Sequence, residues 1–312
     1  MQRALLSSRP RTSLPFYLNS NQRTWSSPQG LRFNNSSADS NADITPIDLE
    51  YDAVLPPHTV RSSRPLVILH GLFGSKRNWG GLCKQFGKEL HRPIYALDLR
   101  NHGHSPHALP HTYPAMAADL LHFFKKHHFE KISLLGHSMG GKAAMAVALS
   151  DALPPGLLEH LIIVDIAPSK GSLSPEFQRY IEVMHQIEQA HISTRKEADQ
   201  MMKSVEPDPS VRAFLLTNLV GSAPLKFRVP VDTIRSSLDA LGDFPYDSCS
   251  QRWEGKTLFI KGEHSRYINN RNQSNLEQFF PNMKLEHLPT GHWVHAEKPN
   301  EFKQLVLDFV RS

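Results

Sequence analysis

A serine stands between two glycines in the segment Gly-His-Ser-Met-Gly-Gly at residues 136–141. The apolar run at 132–135 predicts a buried strand before it, and the small apolar residues at 140–149 predict a helix after it. In this context G-x-S-x-G holds a serine on a sharp turn with its oxygen free for nucleophilic attack. The turn also directs the N–H of Met139 at a developing oxyanion. The spacing therefore predicts that Ser138 is a nucleophile for acyl transfer.

The same glycines allow a second interpretation, a phosphate-binding P-loop. Gly136, Gly141 and Lys142 match the beginning of that motif, which also follows a strand and opens a helix. The motif requires Ser or Thr at the next position, to bind magnesium, and this chain has Ala143. The sequence therefore favours the serine nucleophile over nucleotide binding.

A serine nucleophile needs a general base within hydrogen-bond reach, and histidine is the usual base. His292 follows the apolar run at 284–288, in a Pro-Thr-Gly-His-Trp loop near the C-terminal end. His287 and His295 are nearby alternatives. His287 lies inside the predicted strand, however, and His295 lies where the next helix begins, so we predict that His292 is the base.

An acidic residue should orient the imidazole and stabilise its protonated form. Two predicted strands end near a carboxylate between the serine and the histidine in sequence. Asp165 directly follows the run at 161–164, and Glu263 lies two residues after the run at 256–261. We predict Asp165 as the acid and keep Glu263 as the alternative.

Two backbone N–H groups are expected to bind the oxyanion. One belongs to Met139, after the serine, and the other to Leu72 or Phe73, after the His-Gly pair that ends the run at 65–70. The polar run at 98–105 follows another predicted strand, and we interpret it as a structural brace for the site.

The elements that position these residues form a repeating pattern. Seven short runs predict strands, at 48–55, 65–70, 93–97, 131–135, 161–164, 256–261 and 284–288. Helical periodicity occurs between or after them, at 113–128, 140–149 and 300–310. Continuous apolar strands that alternate with helices predict an α/β fold, with a mostly parallel sheet and helices on both faces.

Residues from about 170 to 248 break this pattern, because they show no convincing buried strand. Apolar residues at helical spacing, including Ile181, Met184 and Ile187, predict a helical insertion. We interpret the insertion as a cap, in which most of the methionine and aromatic side chains pack internally and a few face the substrate.

The net charge of +5 is concentrated at the N-terminus. Residues 1–38 hold five arginines, eight serines and no acidic residue, so residues 39–312 carry no net charge. No basic stripe remains for a nucleic-acid backbone, and the longest apolar runs are too short to span a bilayer. An Arg-rich, Ser-rich, acid-free N-terminus predicts a mitochondrial transit peptide at 1–38 and a matrix location, with the catalytic domain at 47–312.

The histidines and cysteines show no metal-binding spacing. The chain has eighteen histidines but no H-E-x-x-H motif, and the two cysteines, Cys83 and Cys249, form no C-x-x-C pair. We therefore predict two ordinary thiols and neither a metal nor an organic cofactor.

Four motifs in one order carry a resemblance to a known family. They are His70-Gly71, the run at 98–105, Gly-His-Ser-Met-Gly-Gly-Lys at 136–142 and Gly-His-Trp-Val-His-Ala-Glu-Lys-Pro at 291–299. Together, over about residues 47–312, they resemble one branch of the α/β-hydrolases. That branch holds small bacterial esterases, mitochondrial abhydrolase domain-containing proteins and yeast ethanol acetyltransferases.

The resemblance has implications for the site. In that branch the acid lies within Val-Asp-Ile-Ala-Pro, which is 164–168 here, so Asp165 matches. A Gly-Gly-Asn-Ser turn of the family is altered here to Gly-Glu-His-Ser at 262–265, and the resemblance makes Ser265 a further candidate site residue.

The predicted chemistry is cleavage of a carboxylic ester or thioester of a small molecule, through an acyl-enzyme on Ser138. Transfer of the acyl group to an alcohol is the alternative that the yeast relatives imply. A non-catalytic binding protein on the same fold is a second alternative, and the intact set of serine, histidine and acid argues against it.

Overall fold

The computed structural model describes residues 44–56 and 64–312, and most of its strands form one twisted sheet. The strands in these residues are β1 (Tyr51–Val54), β2 (Leu66–Leu69), β3 (Ile94–Leu97), β4 (Ile132–His137), β5 (Leu158–Val164), β6 (Leu219–Val220), β7 (Lys226–Phe227), β8 (Lys256–Gly262) and β9 (Met283–Leu288). The main sheet has the order β1-β3-β2-β4-β5-β8-β9. Only β1 runs antiparallel to its neighbour in it. The predicted mostly parallel α/β fold is confirmed.

The helices follow or precede the strands as the alternating pattern predicts. They are α1 (Gly80–Leu90), α2 (Tyr113–Lys126), α3 (Met139–Ala148), α4 (Pro175–Gln189), α5 (Arg195–Met202), α6 (Pro209–Leu216), α7 (Val231–Ser236), α8 (Leu238–Gly242), α9 (Gln273–Phe279), α10 (Val294–Glu297) and α11 (Pro299–Arg311). A short 3-10 turn, Lys76–Trp79, leads into α1. Each parallel crossover is thus made through a helical segment, which the parallel geometry requires.

The apolar strands face two separate cores. In β2, Leu66 and Ile68 join the core under α1 and α11, whereas Val67 and Leu69 join the core under α2 and α3. Successive strand residues point to opposite faces, and both faces are covered. Continuous apolar runs, rather than alternating ones, are therefore what this sheet needs.

The predicted cap at 170–248, which we call the cap segment, lies between β5 and β8 and holds α4 to α8. It also holds a β6–β7 hairpin that the sequence did not reveal, in which Leu219 pairs with Phe227 and Val220 with Lys226. Two-residue strands are too short to produce a periodic apolar pattern. The expectation that residues 170–248 hold no buried strand therefore missed this hairpin, although it holds for the main sheet.

Lys142 ties both ends of this segment to α3. Its ammonium group donates to the carbonyl oxygens of Ser169 (3.2 Å), Gly242 (2.8 Å) and Asp243 (2.9 Å). Burial lowers the pKa of Lys142 to about 8, and the nearby charge of Asp243 opposes that shift. The beginning and the end of the segment are thus held by one side chain of the helix that follows Ser138.

The predicted transit peptide at 1–38 lies outside the described residues. In the part that the structure describes, no helix combines the length and the apolar character needed to cross a bilayer. Cys83 is buried in α1 and Cys249 is exposed, and both are free thiols.

Candidate active site

Ser138 lies on the turn between β4 and α3, in a backbone conformation that a non-glycine residue rarely adopts. Its φ and ψ angles are 53° and −118°. Such strain costs about 1–3 kcal/mol and must be held by the surroundings. A Cβ atom at Gly136 would lie 2.2 Å from the Gly140 carbonyl oxygen, and one at Gly140 would lie 2.5 Å from that of His70. Glycine at both positions therefore permits the close approach that keeps the turn tight.

A continuous hydrogen-bond path joins Ser138 to a buried carboxylate. The Ser138 Oγ lies 3.0 Å from Nε2 of His292, and His292 Nδ1 lies 2.7 Å from Oδ2 of Asp165. A carboxylate only accepts, so Nδ1 carries the hydrogen and Nε2 is free to accept from the serine hydroxyl. This is the arrangement in which an imidazole removes a proton from serine.

Asp165 directly follows β5 and has no exposed surface. Besides His292, the Gly262 N–H donates to its Oδ1 at 3.1 Å, and the Ser265 hydroxyl donates to its Oδ2. The backbone N–H of Asp165 donates to the carbonyl oxygen of Ile260. The altered Gly-Glu-His-Ser turn therefore keeps its serine in contact with the acid.

The alternative residues lie elsewhere. Glu263 is exposed, and no hydrogen bond among the described residues joins its carboxylate to His292. His287 is exposed in β9, and His295 is buried in α10 against the Trp79 ring. The geometry thus brings Ser138 together with Asp165 and His292 and leaves Glu263 outside.

The predicted oxyanion donors are the N–H of Leu72, in the loop after β2, and the N–H of Met139, at the beginning of α3. His70 Nδ1 donates to the Gly71 carbonyl oxygen, and His70 Nε2 accepts from the Leu99 N–H, so both ring nitrogens are satisfied. In the described part of the chain, no hydrogen bond occupies the N–H of Leu72 or of Met139. Both groups therefore remain able to donate to a substrate oxygen.

Two residues of the cap segment contact the loop after β2. The Asn218 side-chain amide, after α6, donates to the Phe73 carbonyl oxygen at 2.8 Å. The Phe73 and Phe177 rings stack with centroids 6.2 Å apart. Phe73 has a φ of 63°, so the N–H groups around it are set by a strained backbone that these contacts support. Sequence reasoning missed Asn218, because no local pattern distinguishes it.

The run at 98–105 is a brace, as the sequence predicts. The Asp98 carboxylate accepts from the backbone N–H groups of Lys76 (2.7 Å) and His104 (2.9 Å) and pairs with the Lys76 ammonium at 3.0 Å. The Ser105 hydroxyl donates to the Asp98 carbonyl oxygen. These bonds join the end of β3 to the segment that precedes α1.

Two further rings hold His292 in place. His137 Nε2 donates to the His292 carbonyl oxygen at 2.9 Å, and the Tyr267 ring lies over the His292 ring with centroids 4.1 Å apart. The His295 ring lies 4.7 Å from that of His137. Burial lowers the pKa of His137 well below its usual value, and it lowers the pKa of His295 to about 3. Neither the G-x-S-x-G pattern nor the loop sequence revealed these supports.

A cavity of about 310 Å³ opens beside Ser138. Its lining comes from the loop after β2, from the beginning of α1, from the segment around His292 and from two phenylalanines of the cap segment, Phe177 and Phe214. The volume lies near the lower end of the range for small-molecule sites, roughly 300–1,000 Å³. The arrangement therefore places a reactive serine in a pocket for a small ligand.

The nucleotide-binding interpretation is not supported by Lys142. A P-loop lysine extends toward phosphate, whereas the Lys142 ammonium is buried and donates to the carbonyl oxygens of Ser169, Gly242 and Asp243. Gly136 serves the tight turn at Ser138 instead.

Fold and site together define an α/β hydrolase, and the chain belongs to that family. A sequence model described as the alpha/beta hydrolase fold matches residues 64–299. The likeness to a solved marine microorganism esterase supports the same assignment. The two chains share 30% identity with a TM-score of 0.74, over 84% of this chain and 99% of that one.

Particular relatives are similar over most of this chain. An abhydrolase domain-containing protein of Schizosaccharomyces pombe is 42% identical, over 81% of this chain and 94% of its own length. The sn-1-specific diacylglycerol lipase ABHD11 of Danio rerio is 36% identical, over 90% and 88%. A "Probable alcohol acetyltransferase" of Saccharomyces cerevisiae is 35% identical, over 85% and 84%. The predicted resemblance to abhydrolase domain-containing proteins, esterases and yeast acetyltransferases is confirmed.

The tight turn yields a testable prediction. Replacing Gly136 with Ala should lower Tm by roughly 2–10 °C, because the new Cβ would overlap the Gly140 carbonyl oxygen. Gly171→Ala is the matched control, since a Cβ there meets nothing within 4 Å. Differential scanning calorimetry of the two variants measures the effect. Equal Tm values would contradict the packing argument.

Proposed function

We propose that this protein is a serine hydrolase that cleaves a carboxylic ester or thioester through an acyl-enzyme on Ser138. The observation that carries the proposal is the unbroken hydrogen-bond path from Ser138 through His292 to the buried Asp165. Family membership supports it, because the relatives named above include a lipase, an esterase and an acetyltransferase. The substrate is a small molecule.

The first half-reaction forms the acyl-enzyme. His292 Nε2 accepts the hydroxyl proton as the Ser138 oxygen attacks the acyl carbonyl carbon. The carbonyl oxygen becomes an oxyanion, to which the N–H groups of Leu72 and Met139 donate. Each such donor contributes roughly a hundred- to thousand-fold in rate. The imidazolium then protonates the leaving alcohol or thiol, and the carbon–oxygen or carbon–sulfur bond breaks.

The second half-reaction releases the acyl group. Water loses a proton to His292 and attacks the acyl carbon, and the same proton then returns to the Ser138 oxygen as the acid leaves. Asp165 stabilises the imidazolium in both halves and keeps its Nδ1 hydrogen directed inward. Every step uses side chains and backbone groups of this chain, so the mechanism requires no metal or organic cofactor.

An alcohol in place of water gives the second candidate function, an alcohol O-acyltransferase. The likeness to the Saccharomyces acetyltransferase favours it. Both reactions pass through the same acyl-enzyme and differ only in the acceptor that reaches His292 Nε2. We place hydrolysis first, because the cavity beside Ser138 is open to solvent along α1.

The N-terminal segment differs in composition from the rest of the chain. We assign residues 1–38 as a mitochondrial transit peptide and residues 47–312 as the catalytic domain, with the cap at about 170–248. The composition of the N-terminal segment supports this division.

The nucleophile is tested with a fluorophosphonate probe and with p-nitrophenyl acetate. The wild-type chain should label at one serine. Ser138→Ala should abolish the label and lower turnover by at least about a thousand-fold, because no other group replaces the nucleophile. Absence of label on folded wild-type protein would support the non-catalytic binding protein instead.

The acid is tested by a pair of isosteric substitutions. Asp165→Asn should lower kcat by on the order of a thousand-fold or more, since it removes the charge that stabilises the imidazolium. Glu263→Gln should change kcat by less than about two-fold, because Glu263 is exposed. Steady-state kinetics of the two variants distinguish the roles, and the reverse order of effects would reassign the acid to Glu263.

The acceptor is tested by product analysis with acetyl-CoA, with and without ethanol. Hydrolysis predicts acetate and free CoA in both cases, because water completes the second half-reaction. Gas chromatography measures any ethyl acetate. Ethyl acetate as the main product in the presence of ethanol would make the transferase the correct assignment.

A further inference from the structure

The cavity beside Ser138 runs along α1 rather than under the cap segment. Five of its lining residues come from the 3-10 turn and α1, whereas the cap segment contributes two. The five are Asn78, Trp79, Gly81, Leu82 and Gln85. The cap segment therefore forms a smaller part of the cavity wall than the 3-10 turn and α1 do.

The space beneath the cap is filled by buried side chains of the cap segment and of the loop after β2. Phe73, Tyr180 and Met184 are 1%, 4% and 0% exposed, and they belong to the same apolar core. Phe177 lies at the edge of this core, where it meets both Phe73 and the cavity. A substrate group that extends from the serine toward the cap would have to displace these side chains.

The part of the cavity along α1 is open, and apolar side chains line it together with the polar Asn78 and Gln85. The stacked rings of Trp79 and His295, with centroids 4.2 Å apart, form one side of the cavity, and Leu82 and Trp293 also line it. Gly81, Ala296 and Pro299 line its outer part and are exposed, so the cavity is a groove that opens to solvent. We call this feature the α1 groove.

We propose that the α1 groove binds a short hydrocarbon chain of the ester substrate, and that Gly81 keeps the groove open for it. The inference rests on the proposed ester chemistry at Ser138 and extends it to a substrate class. The hydrocarbon chain belongs either to the acyl group or to the alcohol of the ester. Both sources present the same apolar chemistry to the groove. A volume of about 310 Å³ has room for the reacting ester group and a hydrocarbon chain of a few carbons.

Two adjacent glycines provide a matched pair of substitutions. A Cβ atom meets nothing within 4 Å at either Gly80 or Gly81, and both residues are exposed in the first turn of α1. Gly81 lines the groove and Gly80 does not. Leucine is a better helix former than glycine, so both variants should fold at least as well as the wild type. Only Gly81→Leu places a side chain in the groove.

The kinetic experiment compares p-nitrophenyl acetate, butanoate and hexanoate, and in parallel ethyl, butyl and hexyl acetate. If the groove binds the chain, kcat/KM rises by up to about four-fold per methylene in one series. Gly81→Leu should lower the kcat/KM ratio of hexanoate to acetate, or of hexyl to ethyl acetate, in that series by at least about ten-fold. Gly80→Leu should keep the wild-type ratio. The series that responds identifies the acyl or the alcohol source.

A binding experiment makes the outcome independent of turnover. Hexanamide and N-hexylacetamide are unreactive analogues of the two chains, and their binding is measured by isothermal titration calorimetry. Wild type and Gly80→Leu should bind one of them, and Gly81→Leu should bind it at least about ten-fold more weakly. Equal chain-length ratios and equal affinities in the two variants would overturn the assignment of the groove. If the wild-type protein binds the amide but shows no esterase activity, the proposed function is wrong and the groove assignment stands.

Discussion

The fully buried carboxylate of Asp165 is the constraint around which the site is built. A charge without solvent costs several kcal/mol unless hydrogen bonds replace the lost water. Three donors do so here, from Gly262, Ser265 and His292. Gly262 ends β8, Ser265 lies just after it and His292 follows β9, whereas Asp165 itself follows β5. The need to satisfy one charge therefore brings three strand ends together, and His292 is positioned as one of the three.

The cap segment is part of this construction although most of it lies away from the serine. Asn218 holds the carbonyl oxygen of Phe73, next to the Leu72 N–H. Lys142, one turn along the helix that begins after Ser138, holds the two ends of the segment through Ser169 and Gly242. The serine turn and the loop after β2 are thus each fastened to the same insertion. Its contribution to the site is mechanical support more than a binding surface.

The sequence was most informative where function is encoded in neighbouring residues. The turn at Ser138 and the loop of His292 follow buried strands, and periodicity places both correctly at strand ends. Asp165 was preferred over Glu263 because it directly follows a predicted strand, and the family resemblance pointed to the same residue. The contact of Tyr267 with His292 was not predictable, because it depends on the conformation of the loop after β8. The α1 groove was missed for a related reason, because it is a space between α1 and α10 that no single segment encodes.

The contacts of His292 with other histidines affect where the proton taken from Ser138 is held. His137 lies against it, and His295 lies against His137, so three imidazoles form one cluster. Burial lowers the pKa of both neighbours, which leaves them uncharged at neutral pH. A cluster of this size would otherwise spread a proton over several rings and repel a second charge. Here the proton that leaves Ser138 in the proposed reaction has a single place to reside, and it stays beside the oxygen that must receive it back.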